Sequence, residues 1–79
     1  MKFYYVYILQ SLKNQSLYIG YTANLQKRLA QHNLGKNLAT RPFTPYKLIF
    51  YEAFLNRIDA KKREKYLKSG WGEEVLKNY

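Results

Sequence analysis

Leu17-Tyr18-Ile19-Gly20-Tyr21-Thr22, running on into Ala23-Asn24-Leu25-Gln26-Lys27-Arg28, decides how this chain is read. Tyr18 and Ile19 favour a strand, because aromatic and β-branched side chains pack well on a pleated surface. Gly20 interrupts that pattern and lets another group come close to the backbone. Asn24, or Thr22 before it, carries the short polar side chain that caps a helix start. The stretch therefore predicts a strand that breaks at a glycine and turns into a basic helix. A tyrosine hydroxyl beside such a break, with the Arg28 guanidinium farther along the helix, is a place for phosphate chemistry.

Upstream, Phe3-Tyr4-Tyr5-Val6-Tyr7-Ile8-Leu9 reads as a second tyrosine-rich strand. Phe3, Tyr5, Tyr7 and Leu9 fall on one side, and Tyr4, Val6 and Ile8 on the other. Apolar character on both faces predicts a central strand covered from both sides. Residues 11–16 form a polar turn of hairpin length, so the two strands pair antiparallel. Downstream, a helix is predicted over residues 24–33. Leu25 and Leu29, four apart, face the core, Arg28 and His32 share another face, and Gly35 is the stop. Residues 36–45, with two prolines, Lys36 and Arg41, predict a basic loop beside the sheet. Tyr46–Phe54 is the third strand. Asn56, with Asp59 three residues on, caps a second helix running to about Lys68 and ending at Ser69-Gly70. Residues 71–79 predict a last short helix, with Trp71 against the body. No repeat, linker or low-complexity tract interrupts the order strand, strand, helix, strand, helix, which is a small layered α+β fold.

Composition narrows the partners. Seventy-nine residues make one domain with a thin core, since a chain this short buries only about 60% of its unfolded surface. With 47% hydrophobic and 18% aromatic residues it is not a disordered tail. The absence of cysteine excludes disulfides and zinc-thiolate sites. No apolar run approaches the roughly 20 residues of a membrane span and no signal peptide is visible, so a cytoplasmic location is expected. The net charge of +9, from 14 Lys+Arg against 5 Asp+Glu, serves solubility in the bland reading and a polyanion in the sharper one. Nucleic acid is favoured over membrane, because no helix joins a basic face to a wide apolar one.

One acid stands out. The second helix carries Lys61, Lys62, Arg63, Lys65 and Lys68 around Glu64. Glu64 shares a stripe with Ala60 and Leu67, which places it at the core rim. A partly buried carboxylate needs a cation or a metal. It either pairs with a neighbouring lysine or binds a hard divalent cation whose shell is completed by water and phosphate oxygens.

Together, Tyr5-Val6-Tyr7, Tyr18-Ile19-Gly20, Arg28, His32 and Glu64, in this order and at these spacings, resemble the GIY-YIG nuclease domain, most closely its small bacterial members (YhbQ-like, UPF0213-type). The resemblance covers about residues 3–76. It implies a three-stranded antiparallel sheet flanked by helices, and metal-dependent hydrolysis of DNA phosphodiesters. Tyr7 and Tyr18 fall on the family's motif tyrosines, Arg28 on its arginine, His32 on a histidine of many members, and Glu64 on its metal-binding glutamate. Tyr5 stands where the first motif has glycine, and Tyr21 where some members carry a lysine. No equivalent of an asparagine that many members have beyond the glutamate is placed.

The expected roles follow. Glu64 holds one Mg²⁺ or Mn²⁺, and Arg28 takes phosphate charge by a forked contact. Tyr18 is the general base or orients the water, and Tyr7 is its hydrogen-bonding partner. A free phenol titrates near about 10, so positive charge nearby has to activate it. His32 either binds phosphate or relays a proton, or is a surface or capping histidine. Tyr7 and Tyr18 could equally be sheet-packing residues, and Arg28 a solvated helix charge. Gly20 keeps the site uncrowded. Lys27, Lys36, Arg41, Lys61, Lys62, Lys65 and Lys68 are expected to contact DNA phosphates, which positions DNA without reading sequence. Rival readings are a non-catalytic nucleic-acid-binding module on the same fold and, more distantly, a protein-interaction domain.

Overall fold

A computed structural model of the chain describes residues 2–71. Strands β1 (Tyr4–Ser11), β2 (Leu17–Thr22) and β3 (Tyr46–Phe54) form one antiparallel sheet in the order β2-β1-β3. Helix α1 (Leu25–Asn33) follows β2, and α2 (Arg57–Tyr66) follows β3. β1 is the central strand, and its run Val6-Tyr7-Ile8-Leu9 is buried throughout.

The two faces of β1 seed two cores. Val6 and Ile8 meet Ala60 and Leu67 from the α2 side, with Ile19, Tyr21 and Phe50 packed around them. Tyr7 and Leu9 meet Tyr46 on the opposite face, with Tyr18, Leu25, Leu29 and Leu48. A bulge in the β1–β3 pairing leaves Ile8 opposite Phe50 and Leu9 opposite Leu48. The extra residue between them, Ile49, packs with Phe50 into the α2-side core, a re-aiming typical of bulges.

Local signals set the helix ends. The Asn24 side chain accepts the Lys27 N–H at 3.1 Å, and Asn56 accepts the Ile58 N–H at 2.7 Å. Gly35 closes α1 at φ +75°. Its N–H reaches the His32 carbonyl, and the Lys36 N–H reaches Gln31, both at 3.0 Å. This is the paired C-terminal closure that glycine permits at positive φ. It satisfies the last carbonyls of α1 and fixes the turn that carries His32.

Some expectations need correction. Residues 36–45 are not loop throughout, because Arg41–Phe43 form a 3-10 turn with Pro42 in its first turn. The second helix loses α geometry after Tyr66 and widens into a π turn, Leu67–Trp71. The predicted terminal helix, beyond Trp71, lies outside the described residues, as does the Trp71 side chain. Among those described, no helix is long and apolar enough to cross a membrane.

Candidate functional site

The Tyr7 ring lies over Gly20, its partner in β2. A β-carbon at Gly20 would fall on the Tyr7 Cζ and hydroxyl, so the glycine is the space that the phenol occupies. α1 crosses this face and brings two side chains to the same hydroxyl. Arg28 Nε donates to it at 3.3 Å, and His32 Nε2 sits 3.0 Å from it. The Tyr18 ring stands against the imidazole, with centroids 4.8 Å apart, and 6.4 Å from the Tyr7 ring. Tyr7, Tyr18, Arg28 and His32 thus form one contiguous cluster. Among the described residues, the Tyr7 hydroxyl is partnered by Arg28 and His32 rather than by Tyr18, contrary to expectation.

His32 is not a surface or capping histidine, since its exposure is 0%. It stands seven residues after Leu25 and three after Leu29, so it continues their core-facing stripe while also sharing a face with Arg28. Its Nδ1 lies 2.9 Å from Thr40 Oγ1. Thr40 and the buried Ser11 carry no motif signal in the sequence. The Ser11 hydroxyl donates to the Phe43 carbonyl at 2.6 Å, tying the hairpin to the 3-10 turn. Asn33 clasps β3, accepting the Tyr46 N–H at 2.7 Å and donating to the Tyr46 carbonyl at 3.2 Å.

The electrostatics follow from this burial. Desolvation raises the Tyr7 phenol above its ordinary value, although the Arg28 hydrogen bond and charge oppose it, so Tyr7 is protonated at neutral pH. The contact with Tyr7 raises Arg28 further and keeps it charged. Burial first, and the Arg28 charge second, hold His32 below the ordinary histidine value. The imidazolium is therefore disfavoured in the fold. The stability gained with the neutral imidazole is complete above the unfolded value of about 6.5 and is lost as pH falls toward the depressed native one. Thermal unfolding midpoints followed from about pH 7.5 to about pH 5 should fall more steeply for the wild type than for His32→Gln. Equal slopes would remove His32 as the source.

Arg28 reaches outward as well. Its Nη1 donates to Gln31 at 3.3 Å, and with Tyr21, Thr22, Asn24 and Lys27 it lines a groove of about 370 Å³. On the other flank of α1, Tyr5, Leu25, Leu29, Leu48 and Tyr51 line a more apolar groove of about 470 Å³.

Glu64 comes from the other side of the sheet. It is half-buried on the α2 stripe with Ala60 and Leu67, and its carboxylate lies 3.0 Å from Lys68. Its charge reaches the cluster only as the least of the influences raising Tyr7. The lysine pairing considered from sequence is thus present. An i,i+4 helix pair of this kind, open to solvent on the lysine side, contributes only about 0.3–0.5 kcal/mol, little hindrance to a divalent cation. Among the described residues, no three His, Cys, Asp or Glu side chains converge on one point. The donor set fits only a cation that keeps most of its water and takes further oxygens from a phosphate.

Lys27, Lys36, Arg41, Lys61, Lys62, Lys65 and Lys68 are all exposed. Three of them have intramolecular contacts. Arg41 donates to the Gly35 carbonyl at 2.7 Å, Lys61 lies 5.1 Å from the Tyr21 ring centroid, and Lys68 pairs with Glu64. Arg63 is held by Glu52 at 2.7 Å.

Comparison with known proteins bears on this arrangement. Residues 3–74 match the family model described as the GIY-YIG catalytic domain. A UPF0213 protein of Clostridium perfringens is 48% identical over 65 residues, covering 81% of this chain and 69% of that protein. One of Staphylococcus haemolyticus is 39% identical, covering 94% and 90%. The solution NMR structure of a UPF0213 protein from Bacillus halodurans superposes with a TM-score of 0.61 at 32% identity, over 95% of this chain and 83% of that one. The chain belongs to the GIY-YIG catalytic-domain family, among its UPF0213-type members.

Proposed function

We propose that residues 1–79 constitute a single GIY-YIG-type nuclease domain: an endonuclease that hydrolyses DNA phosphodiester bonds with the help of one divalent cation. The observation that carries this reading is the convergence of Tyr7, Tyr18, Arg28 and His32 beside a groove lined by Lys27 and Arg28. Phosphodiester hydrolysis needs a positioned water, relief of phosphate charge and help for the leaving oxygen. Arg28 relieves phosphate charge, because its guanidinium is anchored at Nε and Nη1 and the residue lines the groove. Tyr18 orients or deprotonates the attacking water. Tyr7, protonated and pinned between Arg28 and His32, sets their relative positions. Glu64 would hold Mg²⁺ or Mn²⁺, which supplies charge neutralisation on the scissile phosphate and its leaving oxygen.

The exposed lysines and Arg41 act on the phosphate backbone, so binding is structure-selective or weakly sequence-specific, with branched, nicked or single-stranded DNA as the substrate class. Such a role fits DNA repair or recombination in the cytoplasm. The second reading, a non-catalytic nucleic-acid-binding module on the same fold, draws on the exposed lysines and Arg41, which contact phosphate without needing a metal.

The test is incubation with labelled single-stranded, nicked, flapped and branched DNA in Mg²⁺, Mn²⁺ and EDTA. Cuts that require metal, and that slow about 10²–10⁴-fold in Tyr18→Phe as a positioned acid–base group is lost, support the nuclease. Tyr18→Phe cutting as fast as wild type removes Tyr18 as the base. Tight binding that weakens steeply with salt, without cuts in any condition, leaves the binding module.

A further inference from the structure

Thr40 lies outside every motif, in the segment that the sequence presents as loop, yet it is 1% exposed. Its Oγ1 is 2.9 Å from His32 Nδ1 and 3.5 Å from the Asn37 carbonyl. Across the imidazole, Nε2 is 3.0 Å from the Tyr7 hydroxyl, which accepts from Arg28 Nε at 3.3 Å. Four side chains and one carbonyl thus form a single file of hydrogen bonds, and one placement of protons satisfies every link.

Arginine has donors and no acceptor. The Tyr7 oxygen therefore accepts from Arg28, and its own proton goes to its other partner, His32 Nε2. A neutral imidazole carries one N–H. With Nε2 accepting, the hydrogen sits on Nδ1 and is donated to Thr40 Oγ1, whose proton then turns to the Asn37 carbonyl. The reverse arrangement has Nε2–H donating to Tyr7. That would aim two donors at the phenol oxygen and leave the buried phenol proton without an acceptor, which folded proteins avoid.

We infer that Thr40 is a positioning residue: by accepting the Nδ1 hydrogen it secures the His32 tautomer that the Arg28–Tyr7 contact selects, and so keeps the Nε2 lone pair aimed at Tyr7. The consequence for catalysis rests on the nuclease reading, whereas the tautomer is a property of the resting protein. In that reading the Nδ1–H tautomer keeps the Tyr7 hydroxyl donating to Nε2 while its oxygen accepts from Arg28, which holds the guanidinium in place beside the groove. A threonine that only filled space could be replaced by valine without moving the tautomer.

The chain has one histidine, so a long-range ¹H–¹⁵N correlation of ring nitrogens reads it without ambiguity. The spectrum is taken on the full chain at about pH 8, above the ordinary histidine value. Wild type and Thr40→Ser are expected to show a protonated Nδ1 and an unprotonated Nε2. Thr40→Val and Thr40→Ala are expected to shift toward the Nε2–H form. On metal-supported cleavage, Thr40→Ser should match wild type. Thr40→Val should fall about 10-fold, within the loss of up to about 100-fold that a slight misplacement of site groups costs.

A wild-type Nε2–H signal overturns the inference, as does an unchanged Nδ1–H signal in both Thr40→Val and Thr40→Ala. If Thr40→Val does not fold, the wild-type, Thr40→Ser and Thr40→Ala spectra decide. Absence of cleavage in every chain, with the expected spectra, overturns the nuclease reading and leaves the tautomer assignment supported.

Discussion

Arg28→Ala is expected to lower metal-supported DNA cleavage about 10²–10³-fold, the loss seen when one donor to a developing oxyanion is removed. The guanidinium is held at two points. Nε donates to the Tyr7 hydroxyl at 3.3 Å, and Nη1 to Gln31 at 3.3 Å. Arg28 lines the groove with Lys27. Removing it takes away the groove's anchored cation and the positive charge that opposes the rise of the Tyr7 phenol. Affinity for DNA should fall far less, because a single phosphate contact is one of many on so basic a chain, and the salt slope should drop by about one. Arg28→Lys should not restore the rate, since an ammonium cannot supply the Nε contact and a fork together. Glu64→Ala should cost at least as much if the carboxylate holds the cation, while salt-sensitive binding survives. An Arg28→Ala chain cutting within about threefold of wild type would reduce Arg28 to a structural contact of Tyr7.

Much of this architecture was legible because periodicity states it directly. β3 begins and ends at the residues the pattern indicates, Tyr46 and Phe54. The two-faced run Val6–Leu9 is buried on both sides, as its composition requires. Gly35 stands at the positive φ that ends α1. The site was harder to read where one residue serves two patterns. His32 belongs to the stripe of Leu25 and Leu29 and to the pair with Arg28. Its polarity alone could not separate a surface position from the buried one it occupies. Thr40 and Ser11 were illegible for a different reason. Their partners are His32 and the Phe43 carbonyl, 8 and 32 residues away, and irregular segments have no period to announce such contacts. Glu64 was read correctly as rim-facing, but the sequence left its partner open between lysine and metal. The fold brings Lys68 to it at 3.0 Å, and the sequence contained that pair from the outset as an i,i+4 spacing.

Gly20→Ala is expected to destabilise the fold by about 1–3 kcal/mol, the range for overpacking a filled core, and to depress cleavage at least 10-fold through Tyr7. The added methyl would occupy the position of the Tyr7 Cζ and hydroxyl, and the ring has no free direction in which to yield. Tyr7 is 1% exposed on the central strand, with Leu9, Tyr46, Leu25 and Leu29 packed around it. Lifting the ring would also pull the hydroxyl from Arg28 and His32 together. Stability and activity are thus coupled at this position, unlike at Arg28, where activity falls while the fold persists. Double mutation separates the two effects. In Gly20→Ala/Tyr7→Leu the clash is gone, so much of the lost stability should return while cleavage stays low. Chemical denaturation of the four chains of this cycle measures the coupling, expected at about 1–2 kcal/mol for residues in direct contact. Additive free energies would mean that the Tyr7 ring does not need the space that Gly20 leaves, and the account of this glycine as the seat of the phenol would fail.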